Sequence, residues 1–74
     1  MERIKGIIKS EFKPINTGAY HKKINRGAYI HEVWLRICKN HIEASSRTTS
    51  TLNGKTTFKE MKLYSVADYL KFMA

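Results

Sequence analysis

Residues Tyr29 to Cys38 read YIHEVWLRIC, and the period assigned to this run decides the fold. As a strand, Tyr29, His31, Val33, Leu35 and Ile37 face one side, while Glu32, Trp34 and Arg36 face the other. As a helix, Ile30, Val33, Trp34, Ile37, Cys38 and His41 form an equally continuous stripe. Periodicity alone admits both. The run is rich in Ile, Val, Tyr and Trp, and turn signals bracket it at a strand's length, which favours strand.

Those brackets organise the rest of the chain. The hexad I-N-x-G-A-Y occurs twice, as INTGAY from Ile15 and as INRGAY from Ile24. Each copy sets Asn two residues before Gly, a pattern suited to a tight turn with Gly at positive φ. The repeat therefore reads as two turn-and-strand starts, joined by the short strand AYHKKI. Downstream, Lys39-Asn40 is a weaker turn candidate, and Asn53-Gly54 is the dipeptide of a type I′ hairpin. Around it, ASSRTTSTLNGKTTFK carries five Thr, poor helix material and good hairpin material.

The two ends read differently. In residues 3 to 13, Ile4, Gly6, Ile8, Ser10 and Phe12 alternate with Arg3, Lys5, Ile7, Lys9, Glu11 and Lys13. A helix would instead group Ile4, Ile7, Ile8 and Phe12. Gly6 and the β-branched residues turn the expectation towards strand. At the other end the period changes. Ser65 is placed to cap a helix, with Asp68 at its third position in a capping-box arrangement and Tyr64 and Tyr69 spaced as a hydrophobic staple. Val66, Tyr69, Leu70 and Met73 would form its apolar stripe.

The expected architecture is one small α+β domain covering residues 1 to 74: an antiparallel meander of four or five strands closed by a C-terminal helix from Ser65. The alternative makes residues 28 to 44 a helix, giving a β-α-β-β-α or winged-helix arrangement. The run ICKNHIEASSRTTSTL faintly resembles a helix-turn-helix. Ser45 to Leu52 match the Ser-x-Arg-Thr opening and closing Leu of a recognition helix, but Lys39 stands where a small residue belongs and Glu43 where the turn wants Gly. The Thr and Ser content from Arg47 to Leu52 also suits a helix poorly, so the motif is set aside.

Composition bounds function. A chain of 74 residues buries only about 60% of its unfolded surface, so its core is thin and a homodimer is plausible. One cysteine, Cys38, excludes an internal disulfide and fits a reducing, cytoplasmic setting. MERIKGIIKS lacks the pattern of a signal peptide, and no apolar run reaches the roughly 20 residues that span a bilayer, so no membrane partner is expected. Fourteen Lys and Arg against six Asp and Glu give a net charge of +8, a field that draws polyanions.

Catalytic signatures are thin. His21, His31 and His41 are dispersed, and with one cysteine they do not form the paired spacing of a zinc site, so neither metal nor cofactor is expected. Cys38 amid Ile and Leu reads as a small core residue. There is no Gly-rich phosphate loop. A metal-free ribonuclease toxin using a histidine with Lys or Arg is the one enzymatic idea with merit, kept as the second alternative.

Nucleic-acid binding without catalysis is the function expected. No acid lies between Glu11 and Glu32, where Lys22, Lys23 and Arg26 interleave with Tyr20 and Tyr29. Cations beside aromatic rings suit backbone contacts with base stacking. A second acid-free window, Ala44 to Lys59, holds Arg47 and Lys55 among hydroxyls able to bond phosphates. On neighbouring strands the two windows would merge into one basic surface. The first alternative is a small inhibitor of the phage or mobile-element kind, docking on an acidic protein surface through Trp34 and Arg36, residue types that dominate interface hot spots.

Overall fold

A computed structural model describes residues 2 to 74, in the order α1 (Glu2–Glu11), β1 (Lys13–Pro14), β2 (Tyr20–Asn25), β3 (Tyr29–Ile37), β4 (Ile42–Ser50), β5 (Thr56–Leu63) and α2 (Val66–Met73). The strands form one antiparallel sheet in the order β1-β2-β3-β4-β5, a meander with every neighbour in sequence also a neighbour in space. Both helices lie on the same face. Ile4, Ile8 and Phe12 from α1 and Tyr69 and Phe72 from α2 share one buried cluster with Val33, Leu35, Ile42, Ala44 and Leu63. The fold is α+β, as expected.

The critical run is a strand. In β3, Val33 and Leu35 point into the core at 4% and 0% exposure, and their β4 partners continue that face: Leu35 pairs with Ala44, and Ile37 with Ile42. The alternative that makes residues 28 to 44 a helix is therefore overturned, and the winged-helix and helix-turn-helix readings with it. The Lys39-Asn40 signal is used: the Cys38 N–H donates to the His41 carbonyl at 2.9 Å, closing the β3–β4 hairpin around it. Alternation wins because both strands can bury one apolar face against the helices while Glu32, Arg36, Glu43 and Arg47 stay on the other.

At the N-terminus the strand expectation is wrong. Residues 2 to 11 are helical, and Ile4, Ile8 and Phe12 follow one another at four-residue steps into the core, with Ile7 packed beside them. A strand would have turned Ile7 towards solvent, whereas the helix puts all four apolar residues on one stripe. Gly6 lies on the exposed side with nothing near the position of a Cβ, so it marks no close approach.

Two further readings need correction. Asn53-Gly54 does not form a type I′ turn, which requires positive φ at both residues. Among the described residues only glycines have positive φ, Gly54 at 71°. The β4–β5 connection is a longer loop, Thr51 to Lys55. In it the Gly54 N–H donates to the Ser50 carbonyl, and Asn53 Oδ1 accepts from the Lys55 N–H, both at 2.9 Å. In α2 Ser65 caps the helix as read, its Oγ accepting from the Asp68 N–H at 3.2 Å. Asp68 Oδ2, however, accepts from the Tyr64 N–H at 2.9 Å instead of that of Ser65, so the reciprocal bond of a capping box falls one residue earlier. Its buried stripe, however, uses Phe72, while Leu70 is 61% exposed. Tyr64 stays exposed against the His41 ring, 5.9 Å between centroids.

The repeated hexad does mark two strand starts. Tyr20 opens β2 and Tyr29 opens β3, each two residues after a glycine with positive φ, Gly18 and Gly27.

Candidate nucleic-acid interface

Among the described residues, no helix covers the second face of the sheet. Register places its outward side chains in rows across the strands. Nearest the β3–β4 turn lies Arg36–Glu43–Lys62. Next comes His21–Trp34–Ser45–Glu60, then Lys23–Glu32–Arg47–Phe58, and last Asn25–Ile30–Thr49–Thr56. Two of these rows set a glutamate between two cations, the cross-strand arrangement in which opposite charges stabilise a pair.

Glu32 is the node of this face. Arg47 Nη2 donates to its Oε1 at 2.6 Å, and His21 Nε2 lies 3.2 Å from its Oε2. The hydrogen bond from Arg47 holds the Glu32 carboxyl below the usual carboxylate range, partial burial opposes it, and His21 adds to the lowering. Trp34 sits between the same partners, its ring 5.2 Å from His21 and 5.6 Å from the Arg47 guanidinium. Rings and guanidinium thus brace one another in a cluster that crosses three strands. Beside it opens a hollow of about 600 Å³, lined among others by Thr17, Trp34, Arg36, Ser45, Glu60 and Lys62.

The end of the sheet away from the β3–β4 turn is different. Here the β2–β3 and β4–β5 loops meet: the Thr51 N–H donates to the Ala28 carbonyl at 2.9 Å and its hydroxyl to the Gly27 carbonyl at 3.1 Å. Tyr29 to His31 pair with Thr48 to Ser50 along the same edge. The two acid-free windows are therefore one contiguous region. Among the described residues, carboxylates lie within ion-pair distance only of Lys5, His21 and Arg47, so Lys23, Arg26 and Lys55 make no direct ion pair.

The residues singled out from sequence divide between these surfaces. Lys23 and Arg47 lie on the open face and Arg26 and Lys55 in the joined loops. Tyr29, 50% exposed, stands at the same end with its ring 6.3 Å from His31. Lys22 and Tyr20 belong to the helix side: the Lys22 ammonium lies 5.5 Å from the centre of the Phe12 ring, and Tyr20 packs against the core. Arg26, which lines a hollow with His31, Val33 and Phe72, and Tyr29, whose ring lies against His31, stand on that same side, so only Lys23 and Arg47 of the set lie on the open face. Trp34 and Arg36 both face outward, as the docking alternative requires.

Sequence reasoning passed over Phe58, which is 73% exposed. Its signal was present, since it shares the parity of Glu60 and Lys62 and is the one aromatic residue on the polar face of its strand. His21 and Glu32 also gain their importance only as a pair. Acid-base cleavage of a phosphodiester requires a proton acceptor and a proton donor at separate positions on the substrate. Two groups already hydrogen-bonded to each other do not by themselves fill both. His31, the next histidine in sequence, lies on the helix side, where its Nδ1 is 2.9 Å from Thr48 Oγ1.

No protein-family model, no curated protein and no solved structure matches this chain.

Proposed function

We propose that the chain binds nucleic acid without catalysing a reaction on it, contacting phosphates through the end where its two acid-free windows join. That junction is the observation that carries the reading. Arg26 and Lys55 there, and Lys23 on the adjoining open face, make no ion pair within 4.0 Å among the described residues, and Thr49, Ser50, Thr51 and Thr56 at the same end carry hydroxyls of the kind suited to phosphate oxygens. Tyr29 offers an exposed ring at the same end for base stacking. Arg47 has a lesser part, because Glu32 already holds its guanidinium.

The test is fluorescence anisotropy of labelled single- and double-stranded DNA and RNA at two salt concentrations. We expect binding that weakens steeply with salt and, for a duplex, a log–log slope reduced by roughly 2 to 3 in a Lys23→Ala/Arg26→Ala/Lys55→Ala variant. All sequences should lose affinity alike. Unchanged affinity in that variant would mean the wrong surface, and absence of binding at low salt would sink the proposal.

The second reading is an inhibitor docking on an acidic protein surface. Phe58 exposed beside Arg47, with the Trp34 and Arg36 hollow one row away, supports it. It predicts that Trp34→Ala abolishes capture of a protein partner and leaves any polyanion binding intact.

A further inference from the structure

We propose that Cys38, His41 and Glu43 form a binding site for one zinc ion at the β3–β4 turn, with water completing the coordination. The three side chains come from a hairpin already closed by the Cys38 N–H to His41 carbonyl bond, so little ordering is required to present them together. One donor atom from each residue lies within 4.8 Å of the other two. Cys38 Sγ and Glu43 Oε1 are 3.5 Å apart. A tetrahedral zinc with its usual Zn–S and Zn–O lengths sets such a pair about 3.6 Å apart. One edge of the coordination polyhedron therefore has nearly the right length before any metal enters.

Apart from a 3.8 Å contact of the Cys38 thiol with the Arg36 carbonyl, the donor atoms have no hydrogen-bond partner outside the cluster among the described residues. Glu43 is flanked in register by Arg36 and Lys62, yet among the described residues it makes no ion pair within 4.0 Å with either; its carboxylate is directed to the thiol instead. His41 Nε2 is buried without a hydrogen-bond partner, a polar atom left in want of one. A thiolate, an imidazole and a carboxylate together suit a borderline-soft divalent ion of tetrahedral habit, which selects zinc over magnesium or calcium. The sequence argument against a metal considered only histidines and cysteine. Cys38 and His41 have close zinc-ligand spacing, and the third donor, Glu43, is the carboxylate two residues on.

The test uses the full chain, reduced and freed of metal by a chelator, titrated with Co(II) and then competed with Zn(II). We expect one equivalent per chain, a near-ultraviolet thiolate-to-cobalt charge-transfer band, and zinc binding with Kd on the order of 1 µM. Cys38→Ser should remove the band and weaken zinc binding at least about tenfold, whereas Glu43→Gln should keep the band and lose about tenfold in affinity. Both positions lie outside the core, and circular dichroism checks the fold of each variant. As an independent readout on the unaltered chain, zinc should slow alkylation of Cys38 by iodoacetamide. No band with excess cobalt, unchanged affinity in either variant, one metal per two chains, or alkylation indifferent to zinc would each overturn the site.

Discussion

Leu35 and Trp34 are neighbours on one strand, yet the first is sealed under two helices and the second meets solvent between His21 and Arg47. The difference extends over the whole sheet. On the helix side, Ile4, Ile8, Leu35, Ile42 and Leu63 are fully buried, and among the described residues no charged one is. On the open side the three rows nearest the β3–β4 turn mix cations and carboxylates, two of them with an aromatic ring. One face contributes stability by removing apolar surface from water. The other is tied together by partially solvated charge pairs, each of which contributes little. A domain this small thus concentrates its stability on one side of the sheet.

The largest effect should come from setting those two neighbours against each other. Leu35→Ala should cost about 2 to 5 kcal/mol in urea unfolding, enough to threaten a small domain, because it empties a fully buried site. Trp34→Ala should cost distinctly less, because its ring is only partly covered. Equal losses would break the distinction between the faces.

A smaller loss, about 1 to 2 kcal/mol, is expected from Gly54→Val in the β4–β5 loop. Space is not the obstacle, since nothing lies within 4 Å of a Cβ there; the cost is the left-handed backbone at φ 71°. A melting temperature unchanged by the substitution would show that the loop relaxes freely.

The smallest effect concerns Glu32. Its folded value lies below the ordinary 4.5, so its pairing with Arg47 and His21 adds stability that is complete above that value. The contribution is lost as pH falls through the lowered folded value. Glu32→Gln should therefore be less stable than the parent at neutral pH, with the gap narrowing as pH falls below 4.5 through the lowered folded value. A gap independent of pH would mean that the open face is not held by this charge.

Much of this was legible in the chain. The meander could be read because glycines at Gly18, Gly27 and Gly54 punctuate segments of alternating polarity, and the helix from Ser65 because its cap has a local signature. Tyr20 and Tyr29 could not be told apart, although they occupy the same place in a repeated hexad. Nothing local says that one packs against the core and the other stands exposed at the loop end. Lys22 and Lys23 likewise look equivalent until the covered face is known.

What the sequence determined by itself was therefore whatever depends on neighbours a few residues away: turns, caps, strand alternation and the two acid-free windows. Tertiary structure decided the rest. The first segment satisfies both a helical and a strand period, and only the apolar surface of the sheet, able to bury Ile4, Ile8 and Phe12 together, selects the helix. Cross-strand register alone brings Arg47 to Glu32 and merges the two windows, and the closed hairpin sets Glu43 against Cys38. Such pairings depend on which strands align and which face is covered, and that is a property of the packed chain.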